Sequence, residues 1–444
     1  MQLQIDFPGI KVLDDTKFKN RKKNKLHPND SMFHDWYRFV LSFPPHLVRH
    51  CIRKFNIDES KVILDPFCGT GTTIVESKLN RIPAIGIEAN PFAHFATSVK
   101  TDWSIKGEEL EAITHEIASE TVEKLKSECI DDAPILGGNV PELNLNTVDM
   151  HARKLLITNS ISPLPLHKTL RLLNTLKRYK DHPCFNHALL ALANSLVFKI
   201  SNLKFGPEVG VGKPKLDYPV INSWLGEIGK IARDVTSIEK NMYPPCRAIL
   251  GDSRQISKML DHNSVDVVIT SPPYPNEKDY TRTTRLESVI LGFINNLEEL
   301  RKFKKTLIRS NTRGIYKDDE DDKWVANNES VLNLAEKIER KRIQLKKSSG
   351  FEKLYSRVTL QYFGGMAKHF ADLRYVLKKG ALLAYVVGDQ ASYFKVMIRT
   401  GKLLAEIAQS LGYELAEIEL FRTRFATATS SQLREEVVIL RWPG

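Results

Sequence analysis

Apolar residues in this chain gather into short β-branched runs, each closed by a glycine, a proline or an acid. Val62-Ile-Leu64, Ala84-Ile-Gly-Ile-Glu88, Cys246-Arg-Ala-Ile-Leu250 and Val265-Asp-Val-Val-Ile269 read as strands, and the first and fourth have the β-branched character of parallel strands buried on both faces. Ala381-Leu-Leu-Ala-Tyr-Val-Val387, Leu415-Ala-Glu-Ile-Glu-Leu420 and Glu436-Val-Val-Ile-Leu-Arg-Trp442 supply three more. Between strands the period lengthens. Leu47-Val-Arg-His-Cys-Ile-Arg-Lys-Phe55 suits an amphipathic helix started after Pro44-Pro45, and Thr72 to Leu79 reads as a helix between the first two strands. The expected fold is therefore α/β, doubly wound, around a seven-stranded mixed sheet.

Two long stretches interrupt the strand pattern. Residues 105–244 are helical in period, as in Lys168-Thr-Leu-Arg-Leu-Leu-Asn-Thr-Leu-Lys-Arg178, and include a Gly/Pro/Lys segment over 201–215 that looks too irregular for helix or strand. Residues 286–365 carry the basic run Arg301 to Arg313, an acidic run at Asp318 to Asp322 and a basic helix-like run from Lys337 to Lys347. The expected organisation is a basic arm at 1–30, core at 31–104, a helical insertion at 105–244, core again at 245–285, a basic helical segment at 286–365, and the end of the core at 366–444. No internal repeat is visible.

Composition sharpens this picture in three ways. A chain of 444 residues with 42% hydrophobic content exceeds one ordinary domain and can bury a large core. Its net charge of +12 points to a polyanionic partner, with nucleic acid the leading class. Residues 17–25 alone hold six basic groups and no acid, which fits a phosphate-contacting arm as well as a solvated tail. The five cysteines (Cys51, Cys68, Cys129, Cys184, Cys246) form no Cys-x-x-Cys pair, an argument against a disulfide framework and against a zinc site. With no signal-type run and no stretch approaching the ~18 apolar residues of a membrane span, the expectation is a cytoplasmic protein that uses neither metal nor membrane.

The candidate chemistry sits at strand ends. Asp65-Pro-Phe-Cys-Gly-Thr-Gly-Thr72 follows the first strand, and its glycines at 69 and 71 permit a tight turn in which backbone amides approach a ligand at a helix N-terminus. A phosphate-gripping loop would need a lysine in the turn, and a dinucleotide site a third glycine where Thr73-Ile74 stand; both are missing. Asp65, Glu88 and Asp252 fall at three successive strand ends. They suit a ligand with a cationic amino-acid end, a ribose whose hydroxyls need an acceptor, and an adenine amine. The fourth strand delivers Thr270-Ser-Pro-Pro-Tyr274. An exocyclic amine on an aromatic base is a poor nucleophile because its lone pair is delocalised. Two acceptors on its hydrogens, the Ser271 side chain and the Pro272 carbonyl stiffened by Pro273, would localise that pair, and Tyr274 offers a face for stacking.

Together the two motifs resemble those of the S-adenosylmethionine-dependent amino-methyltransferases, the DNA cytosine-N4 and adenine-N6 enzymes. The resemblance covers roughly 31–104, 245–285 and 366–444. It implies a Rossmann-like methyltransferase sheet, S-adenosylmethionine as cofactor, double-stranded DNA as partner, and site-specific methylation of a flipped base, with room for a cognate restriction endonuclease acting separately. It implies cofactor contacts from Asp65, Phe67, Cys68, Gly69, Gly71, Thr72, Glu88, Ala89, Asp252 and Ser253, and from the segment around Pro45. Catalysis would fall to Ser271, Pro272, Pro273 and Tyr274. Serine at the head of that tetrapeptide is the form most often seen in cytosine-N4 enzymes, whereas adenine-N6 enzymes more often carry Asp or Asn, so N4-methylcytosine is the expected product. Cytosine-C5 chemistry is disfavoured because Pro245-Cys246 precedes the third strand instead of following the fourth. RNA guanine-N2 enzymes share a similar cofactor motif but usually show Asp or Asn before Pro-Pro-Tyr.

No recognition domain carries over by position, because the largest insertion lies between the second and third strands. Lys278, Tyr280, Arg282 and Arg285 continue straight out of the catalytic turn and should border the nucleic acid. Lys204, Lys213, Lys215, Arg309 and Arg313 are further candidates for phosphate or base contact.

Overall fold

The computed structural model describes residues 11–12, 26–39, 42–134, 144–206, 208–239, 242–276, 278–426 and 431–444. Its strands are β1 (Lys11–Val12), β2 (Ile63–Asp65), β3 (Ala84–Glu88), β4 (Leu203–Phe205), β5 (Val209–Val211), β6 (Cys246–Leu250), β7 (Val265–Thr270), β8 (Leu377–Gly388), β9 (Glu414–Ala426) and β10 (Ser431–Arg441). The main sheet has the order β1-β9-β10-β8-β7-β2-β3-β6. Strands β6, β3, β2, β7 and β8 run parallel, and β10 lies antiparallel between β8 and β9. From β2 the chain winds outward through β3 to β6, then returns beside β2 as β7 and winds the other way. The strand order reverses between β2 and β7, and their carboxyl ends open the crevice where ligands bind in such sheets.

All seven expected strands are present and form the Rossmann-like methyltransferase sheet. An eighth is added at the edge, where Lys11 and Val12 pair with Glu419 and Leu420 inside the segment expected to be a basic arm. The basic cluster Lys17 to Lys25 lies outside the described residues. Both faces of the sheet are covered. Leu64, Val268, Leu383, Tyr385 and Val438 pack on one side with the helices Tyr355–Leu373 and Thr400–Ser410. Their neighbours Ile63, Val267, Ile269, Ala384, Val386 and Val437 pack on the other with the helix Pro45–Lys54. This alternation explains why the runs are apolar throughout: successive side chains enter opposite cores.

The insertion is helical as expected, with helices Gly107–Ser127, Pro163–Leu176, Phe185–Ser195 and Val220–Thr236. They share one core with Phe33, Trp36 and Tyr37. Trp36 Nε1 and the Phe33 amide both donate to Asp234, which fastens the segment before the first helix onto the insertion. The 201–215 segment departs from expectation. It holds the antiparallel hairpin β4–β5, tied at its base by the Gly212 amide to Asn202 O and by Lys215 Nζ to Ser201 O. Three-residue strands are too short to leave an alternation in the sequence.

The acidic run at 318–322 is divided: Asp318 and Glu320 face solvent, whereas Asp319 and Asp321 turn inward. Asp319 pairs with Arg309, Asp321 with Arg254, and the turn Asp321–Val325 packs on the helix Tyr355–Leu373. Gly364 allows that approach, because a Cβ there would lie 1.9 Å from the Asp321 carbonyl oxygen. Gly364→Ala should therefore destabilise the fold by at least about 1–3 kcal/mol, read as a lower denaturant midpoint at unchanged slope. An unchanged midpoint would mean that the turn yields at no cost.

Candidate active site

The carboxyl ends of β2, β3, β6 and β7 border one cavity of about 410 Å³. On one side its wall is Phe67, Cys68, Gly69, Thr72, Glu88, Ala89, Gly251 and Ser253; on the other it is Ser271, Pro272, Pro273 and Tyr274. Ser42, Phe43 and Pro44 close the near end. The sequence reading named Pro45 for this contact. Pro45 is instead buried as the first residue of the helix Pro45–Lys54, and Pro44 before it takes the wall.

Glu88 holds the glycine turn in place: one carboxylate oxygen accepts from the Gly69 amide at 2.8 Å and the other from the Asn90 amide at 2.7 Å. Burial raises its pKa to about 7, against the pull of those amides. Gly69 has φ 53° and nothing within 4 Å of where a Cβ would stand, so a ligand can approach its backbone. Gly71 has a different task. At φ 84° it is the residue before the helix Thr72–Leu79, a Cβ on it would meet Thr97 at 2.8 Å, and it does not border the cavity.

Two of the three acids do not stand where the sequence suggested. Asp65 is fully buried behind the cavity wall. Its Oδ1 accepts from Thr270 Oγ1 at 2.5 Å and from the Phe67 amide at 3.1 Å, and burial raises its pKa to about 6. It is a brace between the ends of β2 and β7. Asp252 turns away to the Arg254 guanidinium at 2.7 Å, and Arg254 reaches on to Asp321. Gly251 and Ser253 border the cavity in its place. The sequence offered no sign of this, because Arg254 lies only two positions on and gains its buried partner from a distant segment.

The Ser271 to Tyr274 turn is held by β8. Ser271 Oγ donates to the Val386 carbonyl at 3.0 Å, and the Tyr274 hydroxyl lies 3.4 Å from both Ser271 Oγ and Val386 O. With its proton on Val386, Ser271 presents lone pairs, the role a hydrogen-bond acceptor requires. Burial holds the Tyr274 hydroxyl well above the usual range, so it stays neutral. The Tyr274 amide donates to the Tyr280 hydroxyl at 3.2 Å.

The basic candidates separate by burial. Lys278 borders the cavity beside Tyr280, while Lys204, Lys213 and Arg313 are exposed. Arg285 is tied to Thr281 and the Leu155 carbonyl, and Lys215 to the hairpin base. Arg309 edges the cavity, but the residue is only 4% exposed and its guanidinium is spent on Asp319 and the carbonyls of Lys304 and Leu307. Arg285, Lys215 and Arg309 are thus structural cations. Arg282 is half-buried away from the cavity. The sequence reading missed Gln390, Arg422, Arg424 and Glu435, which also border the cavity. No motif marks them; they reach it because β8, β9 and β10 are adjacent.

A family model described as DNA methylase matches residues 10–97, which contain β2, the glycine turn and β3. Over 466 aligned positions the chain is 26% identical to the Type II methyltransferase M.BsoBI of Geobacillus stearothermophilus, spanning 99% of this chain and 90% of that protein. The Type II methyltransferases M.AvaI of Nostoc sp. and of Anabaena variabilis are 26% identical over 198 residues, 41% of this chain and 39% of each of theirs. Along nearly its whole length the chain is thus similar to a Type II methyltransferase, and its first strands match a DNA methylase family model. Among the described residues, no helix is long and apolar enough to cross a membrane.

Proposed function

We propose that this protein transfers a methyl group from S-adenosylmethionine to N4 of a cytosine flipped out of double-stranded DNA. The observation that carries the reading is the single cavity bordered by the Gly69–Glu88 cradle on one side and by the Ser271 to Tyr274 turn on the other. The residues fit the cofactor: Glu88 offers carboxylate lone pairs to ribose hydroxyls, and Gly69 leaves an open backbone face. When bound, S-adenosylmethionine supplies the activated methyl on its sulfonium. The protein's share is orientation and acceptor placement. Ser271 Oγ, with its own proton donated to Val386, and the Pro272 carbonyl accept from the two amine hydrogens, while Tyr274 provides a neutral aromatic wall for the base. Nothing in the site has to become covalently attached to the base. Serine at the head of the turn favours cytosine over adenine, and a separate endonuclease acting on the same site is compatible with this activity.

Incubating DNA with the protein and isotopically labelled cofactor, then resolving the nucleosides by mass spectrometry, should yield N4-methylcytosine. Labelled N6-methyladenine would overturn the choice of base, and N2-methylguanine in RNA the choice of polymer. Glu88 adds a pH signature. Its carboxylate is half protonated near pH 7 in the free protein, so affinity for S-adenosylmethionine should fall about tenfold between about pH 8 and about pH 6. Glu88→Gln should bind weakly with a flattened profile. Stability of the unliganded protein has the opposite sign. Glu88's contribution is fully present below its ordinary value of 4.5 and is lost as pH rises through 7. A cofactor titration that is flat in the wild type would remove Glu88 from the site.

A further inference from the structure

Arg422 on β9 is the direct cross-strand partner of Glu435 on β10, and Glu435 stands opposite Gly388 on β8. Directly opposed residues of neighbouring strands project to the same face, so a row runs across the sheet from Arg422 through Glu435 to Gly388. Gly388 leaves that row open toward the catalytic turn. A Cβ there would lie 3.3 Å from Tyr274 Cε2 and 3.4 Å from Glu435 Cγ, so the Tyr274 ring and Glu435 close over the same glycine. Arg422, Glu435, Ser271 and Tyr274 all border the one cavity.

Glu435 takes two nitrogens of the Arg422 fork, Nε on one oxygen and Nη2 on the other at 2.7 Å. Both side chains are largely withdrawn from solvent, 12% and 16% exposed. A guanidinium held on two nitrogens is fixed in plane, and among the described residues Nη1 makes no hydrogen bond. What this group presents beside the catalytic turn is donors only. Next to its amine cytosine carries N3 and then O2, two acceptors in sequence; adenine carries N1 and then a C–H, and guanine places an N–H beside its amine.

We propose that Arg422, oriented by Glu435, is a specificity residue that donates to the N3/O2 edge of the flipped cytosine while Ser271 and Pro272 accept from its amine. The inference rests on the amino-methylation reading above and adds the group that selects the base. The test is binding, with S-adenosylhomocysteine present, to duplexes carrying at the methylated position either cytosine or a 2-aminopyridine C-nucleoside, which keeps the amine and adjacent ring nitrogen but lacks O2. Wild-type protein should prefer cytosine by about 10- to 100-fold. Arg422→Met should reduce that preference below about threefold while binding S-adenosylhomocysteine normally. Arg422→Lys keeps a cation against Glu435 without the fork, should lose most of the preference too, and serves if the Met variant does not fold. A preference retained in a variant with normal cofactor binding overturns the assignment of Arg422. N6-methyladenine as the wild-type product would instead overturn the cytosine reading itself, so the two failures are distinguishable.

Discussion

Ser271→Ala is expected to lower turnover by about 10²–10³-fold, the scale on which loss of one preorganised hydrogen-bonding group acts in a transition state, with cofactor affinity and DNA affinity near wild type. The asymmetry follows from where Ser271 sits. Its hydroxyl proton is already placed on the Val386 carbonyl, so the atom lost is an acceptor for the reacting amine and not a piece of binding surface. The Val386 carbonyl then retains the longer 3.4 Å contact from Tyr274, a modest local cost. Single-turnover methylation of a labelled duplex, with separate titrations of S-adenosylhomocysteine and DNA, isolates the effect. Methylation at the wild-type rate would remove Ser271 from the chemistry.

The second large effect is expected at Asp65, and it differs from what the strand-end position alone suggests. A carboxylate touching the cofactor at a solvent-facing tip would cost affinity and leave stability intact. Asp65 is instead buried and holds Thr270 on β7 and the Phe67 amide on the glycine turn. Asp65→Ala strands a buried hydroxyl and a backbone amide together, at a cost of about 1–3 kcal/mol for each group left unpaired. The variant should lose stability, cofactor binding and turnover together, because one side chain positions both walls of the cavity. Asp65→Asn, which keeps an acceptor for Thr270, should recover most of the stability. A variant Asp65→Ala with a wild-type melting profile and only weakened cofactor binding would restore the direct-contact role.

The strands were legible because a parallel sheet covered on both faces demands apolar residues at nearly every position, and runs such as Val265 to Ile269, interrupted only by Asp266, stand out against any background. The two turns were legible for a related reason: a glycine at φ 53° and a proline-stiffened tetrapeptide are local devices whose residue types report their backbone. What failed was local in sequence but not in space. The strand-end position of Asp252 suits a side chain facing a ligand, yet Arg254, drawn in by Asp321 from a segment about seventy residues away, captures it first. Arg309 is a candidate contact for nucleic acid by its place in a basic run, yet Asp319 and neighbouring carbonyls take all its donors inward. A charge in a sequence carries no sign of its partner, and burial decides between a solvated cation and a structural one.

By itself, then, the sequence determined the class of fold, the two turns that border the cavity, and the order in which the sheet delivers them, because each depends on residues within a few positions of one another. The tertiary structure decided which polar groups face the cavity. It spent Asp65, Asp252, Arg285 and Arg309 on internal hydrogen bonds and brought Val386, Gln390, Arg422 and Glu435 to the cavity from segments more than a hundred residues beyond the Ser271 to Tyr274 turn. Side-chain partners are chosen by distance after the sheet closes, and strand adjacency across β7, β8, β10 and β9 leaves no trace in the spacing of residues along the chain.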